Sequence, residues 1–233
     1  MSLLTIVRAC CDRLSLNRPS VVVAANDVTH LQLLGLAQEE GKQLAREGTW
    51  RALTSEHTFT TVALAAQTSS LPTDFDWYRP DTMFNRTTRR RVAGPLSAEQ
   101  WQLAQASLVT YVNPAFRMRG TSILISPTPT AGQTVAYEYI TKNWCQSNAS
   151  VGQAAWAADD DTALLDEELH ILGIVWRWKK AKGLDYAEEF TTYQYQVAQA
   201  LIRDGGRPRI SQDVGSIDRV PNSPQNPDTL TVF

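Results

Sequence analysis

Four guanidinium groups stand within six positions in the stretch NRTTRRRVAGP, at Arg86, Arg89, Arg90 and Arg91. Forked donors of this kind grip phosphates or carboxylates, so the patch fits nucleic acid or an acidic protein surface. Asp74, Asp76 and Asp81 lie just upstream and are candidate partners, within one chain or between neighbouring chains. Trp77, Tyr78 and Phe84 accompany the loop, and aromatic and arginine side chains are favoured at the centres of protein interfaces. The candidate interface or DNA-channel residues are therefore Arg86, Arg89, Arg90, Arg91, Trp77 and Tyr78. A formal net charge of −2 over 233 residues gives no global attraction for free DNA.

Other residue types that could do chemistry are dispersed. His30, His57 and His170 fall on different expected elements, with no short Cys/His spacing to gather metal ligands. Cys10, Cys11 and Cys145 are odd in number and two are adjacent, which reads as reduced, buried thiols of a cytoplasmically made protein. The chain has no Gly-Xaa-Ser-Xaa-Gly elbow, phosphate loop or dinucleotide fingerprint. The acidic run Asp159–Asp161, followed by Asp166, Glu167 and Glu168, lacks calcium-loop spacing and reads as a helix cap with a solvated face. No catalytic residue, metal or cofactor is expected. No apolar run reaches membrane-spanning length, and the start lacks the order of a secretion signal.

The elements that must carry these residues are strongly patterned. From Asp159 to Gly183 the sequence predicts one long helix, with acidic residues at its start, Lys179, Lys180 and Lys182 at its end, and Gly183 as its left-handed stop. Leu165, Leu169, Leu172 and Trp176 form its main stripe, and Gly173 implies a close approach by another backbone or a tolerated cost. A second helix follows Asp185, whose pairing with Glu188 can form a reciprocal cap, and Tyr186, Phe190, Tyr193, Val197 and Leu201 are its stripe. The core list from this hairpin is Leu165, Leu169, Leu172, Trp176, Phe190 and Val197.

Two N-terminal helices are expected, over residues 3 to 14 and from Asn26 or Asp27 to about Glu47, the latter packing Leu31, Leu34, Ala37, Gly41 and Leu44. Residues 57 to 64, 121 to 126 and 134 to 141 read as strands, the last half-buried with Val135, Tyr137 and Tyr139 on one side. Between them, Ser97 and Gln100 make a capping box for a helix from Ala98 to about Leu108, with Leu96 and Trp101 as its staple. Trp144 and Trp156 flank a polar linker.

The expected fold class is thus α+β: a discontinuous antiparallel helical bundle with an inserted β-rich domain and an extended C-terminal arm. The expected divisions are residues 1–49 and 146–206 for the bundle, 50–145 for the insert and 207–233 for the arm. The arm is rich in proline, yet it spaces Ile210, Val214, Ile217, Val220, Leu230, Val232 and Phe233 along its length, as a segment that orders on a partner would.

Three blocks, SLPTDFDWYRPDTMFNRTTRRRVAGPLSAEQWQLAQ (70–105), FRMRGTSILISPTPTAGQTVAYEYITKNW (116–144) and DDDTALLDEELHILGIVWRWKKAKGLDYAEEFTTYQYQVA (159–198), resemble in order the head-to-tail adaptor proteins of short-tailed bacteriophages. That family includes the tail tubular protein A and head-completion proteins. The resemblance implies a structural virion protein, helical with a β-rich insertion. Copies would form a ring, usually of twelve, beneath the portal protein ring. The ring extends the channel for genomic DNA and offers a platform to the tail nozzle or next tail component, at the head–tail junction of a virion whose parts are made in the host bacterial cytoplasm. The arm residues 207–233 would dock on the portal. Two other readings compete: a packaging factor contacting DNA through the Arg86–Arg91 loop, and a tail-associated hydrolase.

Overall fold

The computed structural model of the chain describes residues 1–106 and 113–205 and is a mixed α+β structure. In chain order it begins with α1 (Leu3–Arg13), α2 (Val28–Arg46) and a single 3-10 turn (Arg51–Leu53). Five strands follow: β1 (Thr54–Thr60), β2 (Ala66–Gln67), β3 (Phe75–Tyr78), β4 (Phe84–Asn85) and β5 (Arg90–Arg91). After α3 (Ala98–Ala106) come β6 (Ala115–Arg119), β7 (Ser122–Ser126), β8 (Thr134–Thr141), β9 (Cys145–Gln146), β10 (Gly152–Gln153) and β11 (Thr162–Ala163). Two helices, α4 (Glu167–Ala181) and α5 (Ala187–Gly205), end the described part.

The residues of β8 organise the sheet work. Its alternation of Val135, Tyr137 and Tyr139 places three large side chains on one face, where they join Phe59, Tyr78, Met83, Phe116 and Ile123 in one apolar cluster. One edge of β8 pairs antiparallel with β1; the other pairs with β4 near Ala136 and with β3 near Ile140. A second sheet, in the order β2-β7-β6, carries Ile123, Ile125 and Phe116 of the same cluster. On the opposite face of β8, Ala136 and Ile140 are buried as well, while Glu138 between them stays partly exposed. Ile140 belongs to the other cluster, formed mainly by helices.

That second cluster surrounds α4, whose residues from Leu169 to Trp178 are all buried apart from the partly exposed Leu172. Helices α1, α2 and α5 each pack on it. Leu165, Leu169 and Trp176 are buried there, as is Val197, while Leu172 and Phe190 pack partly buried against them. The ring of Trp176 meets Phe190 edge-on at 4.9 Å. Helix α4 ends as its sequence predicts: Gly183 has φ +69°, and the Leu184 amide donates to the Lys179 carbonyl at 2.9 Å, the closing bond of a Schellman motif.

The start of α4 departs from expectation. Asp159–Asp161 do not cap it; Thr162–Ala163 form β11 against β9, and the helix begins only after Asp166, whose side chain accepts from the Glu168 amide at 3.0 Å. The aspartates bind loop backbone instead. Asp161, buried, accepts from the Ala157 and Ala158 amides at 2.6 and 2.8 Å. Asp159 accepts from the Val22 and Val23 amides, and its carbonyl receives the Leu4 amide, so the run ties α1 and the following loop to the entrance of α4. The stretch 146–155, read as a polar linker, forms one edge of the small sheet β10-β9-β11, and Trp144 and Trp156 are buried with rings 5.0 Å apart.

Helix α2 packs on most of its expected side: Ala37, Gly41 and Leu44 are buried and Leu34 packs partly buried, but Leu31 is 46% exposed. Leu33 and Glu40 are buried in addition, and apolar spacing alone does not mark a carboxylate as part of the stripe. Helix α3 starts with the capping box its sequence specifies: the Gln100 amide donates to Ser97 Oγ at 3.1 Å and the Ser97 amide to Gln100 Oε1 at 3.0 Å. The expected continuation to Leu108 lies outside the described residues, as does the whole arm from Ile210 to Phe233.

Candidate interaction surface

The arginine loop is a β4–β5 hairpin fixed by its first residue. Asn85 accepts from the Thr88 amide at 3.0 Å and donates to Gln133 Oε1 at 2.7 Å, the Arg86 amide donates to the Thr134 carbonyl, and Arg89 occupies the turn at φ 55°. These bonds seat the hairpin on the edge of β8. Arg86, Arg89 and Arg90 are exposed and Arg91 is half-buried.

Carboxylates compensate part of this charge. Arg86 donates to Glu56 on β1 at 2.6 Å, Arg91 pairs with Asp81, and Arg79 pairs with Glu138 at 3.2 Å. Of the three upstream aspartates, Asp81 pairs with Arg91 of the loop. Asp74 accepts from the hydroxyls of Tyr139 and Thr141 at 3.0 and 2.7 Å and serves the β cluster instead. Glu56, thirty positions before Arg86, has no local signal that marks it as a partner; it becomes one through the β1–β8 register, which sets Glu56 opposite Glu138.

The aromatics divide. Trp77 is 66% exposed and Phe84 45% exposed, aligned with Ile140 and Ala136 of β8 on the face that carries Glu56 and Glu138. Tyr78 is a correction to the surface list: one residue further along β3, it points the other way, is buried, and its hydroxyl accepts from the Met83 amide at 3.2 Å. The face is shallowly concave. A hollow of about 400 Å³ lies between Phe84, Arg86, Glu56 and Glu138, and another of about 470 Å³ lies between Trp77, Ile140 and the C-terminal end of α2. Two exposed rings thus lie beside three guanidinium–carboxylate pairs, the mixture of apolar side chains and exchangeable ion pairs that protein interfaces favour.

Titratable groups elsewhere are buried in packing. Glu40 of α2 pairs with Arg177 of α4; Arg177 also donates to the Gly173 carbonyl at 3.0 Å and to Gln43 Oε1 at 2.6 Å, and stacks over Trp176 at 4.4 Å. Burial pushes the Glu40 carboxyl up to about 7 against the opposing pull of Arg177. An added Cβ at Gly173 would overlap that carboxylate, so the close approach implied by this glycine is made by a side chain of α2 rather than by its backbone. His170 is buried beside Trp144 and Trp156, and burial lowers its imidazole to about 4, so it is neutral near pH 7. Cys10, Cys11 and Cys145 are buried, unpaired thiols, each raised by burial. Among the described residues, no group of three or more His, Cys, Asp or Glu side chains is placed to hold a metal ion, and no helix is long and apolar enough to cross a membrane.

No curated protein matches the chain. A family model described as SU10 adaptor protein matches residues 1–223.

Proposed function

The chain belongs to the SU10 adaptor protein family and is a structural adaptor of the phage head–tail junction, and we propose that it forms a ring beneath the portal. In this reading twelve copies close around the channel, genomic DNA passes through without sequence-specific binding, and the distal side receives the tail nozzle or next tail component. The observation that carries the reading is the family match, which spans nearly the whole chain. Its arrangement would be a discontinuous bundle, residues 1–49 with 146–206, holding the insert 50–145 so that the Trp77–Phe84 face meets a neighbouring protein.

Residues 207–233 act as the portal-docking arm, with Ile210, Val214, Ile217, Val220, Leu230, Val232 and Phe233 as its apolar anchors. Ordering a segment costs about 1–2 kcal/mol of backbone entropy per residue, so burial of those anchors in the portal must exceed that cost. Closure of a ring then repeats each weak contact around the circle. Imaging of the purified protein alone and mixed with portal tests the stoichiometry. Deletion of 207–233 is expected to leave a folded protein that no longer co-sediments with portal rings; unimpaired co-sedimentation would overturn the role of the arm.

A further inference from the structure

Two helix faces are exposed and nearly without charge. On α5, the thirteen residues from Phe190 to Ile202 contain no Asp, Glu, Lys, Arg or His, yet Tyr195 and Ile202 on its outer side are 62% and 63% exposed. On α2, the eleven residues from Val28 to Gln38 contain no Asp, Glu, Lys or Arg, and Val28 and Leu31 are 77% and 46% exposed. Gly35 lies on the same side with open space where a Cβ would stand. Solvated helix faces ordinarily carry charge, and loss of charge with exposed tyrosine and aliphatic side chains marks the centre of an interface.

The flanking charges give this pair of faces a direction. Glu188 and Arg203 bracket the α5 face fifteen positions apart, and Asp27 and Lys42 bracket the α2 face at the same separation, about 22 Å along each helix; the nearer Glu189 and Glu39 are paired within the chain, with Lys179 and Arg177. Laid antiparallel, Arg203 meets Asp27 and Glu188 meets Lys42; laid parallel, like charges meet at both ends. Lys42, Glu188 and Arg203 form no ion pair among the described residues. The same alignment sets Ile202 against Val28, and Tyr195 against the notch at Gly35, eight positions in from Arg203 and Asp27 respectively.

We propose that α5 of one copy of this chain lies antiparallel on the outer face of α2 of the next copy, with Tyr195 seated at Gly35. Because the two faces belong to different helices, the contact is head-to-tail and continues from copy to copy, as a ring requires. This rests on the reading of the chain as a self-assembling adaptor and names the surfaces by which the copies meet.

Full-length Gly35→Cys, Tyr195→Cys and the double variant, oxidised with and without portal rings, test it, the native cysteines being buried. A disulfide-linked ladder is expected from the double variant and a linked dimer from the mixed single variants, with neither single variant linking to itself. Self-linking of one single variant would overturn the contact, since it requires a symmetric pairing. Co-sedimentation with portal is scored separately: portal binding without any disulfide between positions 35 and 195 overturns the contact and leaves the adaptor reading intact. A ladder in concentrated protein that never binds portal supports the contact and removes that reading instead. In a parallel assay, Lys42→Glu and Glu188→Lys each reduce assembly and together restore it; failure of the pair to restore it would count against the antiparallel alignment.

Discussion

Arg177 faces a carboxylate with almost no solvent around either group, being 4% exposed where Glu40 is fully buried. Above pH 7, where Glu40 is ionised in the native protein, removing its partner leaves a buried charge without compensation, so there Arg177→Met is expected to cost about 3–5 kcal/mol in urea unfolding, whereas Glu40→Met with Arg177→Met recovers most of it. Equal losses in the single and double variants would contradict this. The pH dependence has a definite sign. The folded-state value of about 7 lies above the ordinary value of 4.5, so the native protein holds this proton longer than the unfolded chain does. The contribution is fully present below pH 4.5 and is lost as pH rises through 7. The wild type should therefore lose stability relative to Glu40→Gln across that window; parallel urea midpoints for the two proteins would overturn the assignment. None of this is legible in the sequence, because a buried ion pair leaves no periodic signal. Tyr78 is misread for a related reason: adjacent strand residues take opposite faces, and the register irregularity between Phe75 and Trp77 fixes which of the two aromatics faces out.

Secondary-structure elements are read best where the chain carries its own stop and start chemistry. The Ser97–Gln100 box and the Gly183 stop depend on residues within a few positions, and both are found where the sequence sets them. Ser97→Ala should accordingly cost about 1 kcal/mol through loss of the α3 cap; a thermal melt that does not move would show α3 to be held by packing alone. The beginning of α4 is misread because three successive aspartates satisfy the capping pattern equally well when they bind loop amides. What decides between the two is pairing of Thr162–Ala163 with Cys145–Gln146, a contact made by residues sixteen to eighteen positions distant. Long-range packing also explains why Ala136 and Ile140 are buried on the face of β8 where Glu138 stays partly exposed.

For the whole molecule, the mixed α+β class and the family were both legible, the first from periodicity and the second from the order of three blocks that together cover about half the chain. The candidate interaction surface was legible only in part. The sequence marks the arginine loop, but Glu56 and Asp81 make it a mosaic of paired charges, so free duplex DNA would have to displace carboxylates to bind there. Weak, steeply salt-dependent duplex binding is the expected outcome of a mobility-shift assay, and tight binding that persists at high salt would overturn this account of the loop.

The hydrogen bonds that tie Leu3 and Leu4 to Asp161 and Asp159 also set a schedule for synthesis. The apolar β cluster closes with residues no later than Tyr139, whereas α1 meets its main partner only when α4 has been made, out to Trp178. At bacterial-scale elongation of roughly 5–20 residues per second, the ribosome adds that interval in about 2–8 s, during which the oldest helix waits without its main partner. Protease protection of stalled nascent chains, one ending before α4 and one beyond α5, should reveal a sheltered β portion first and a sheltered N-terminus only in the longer chain.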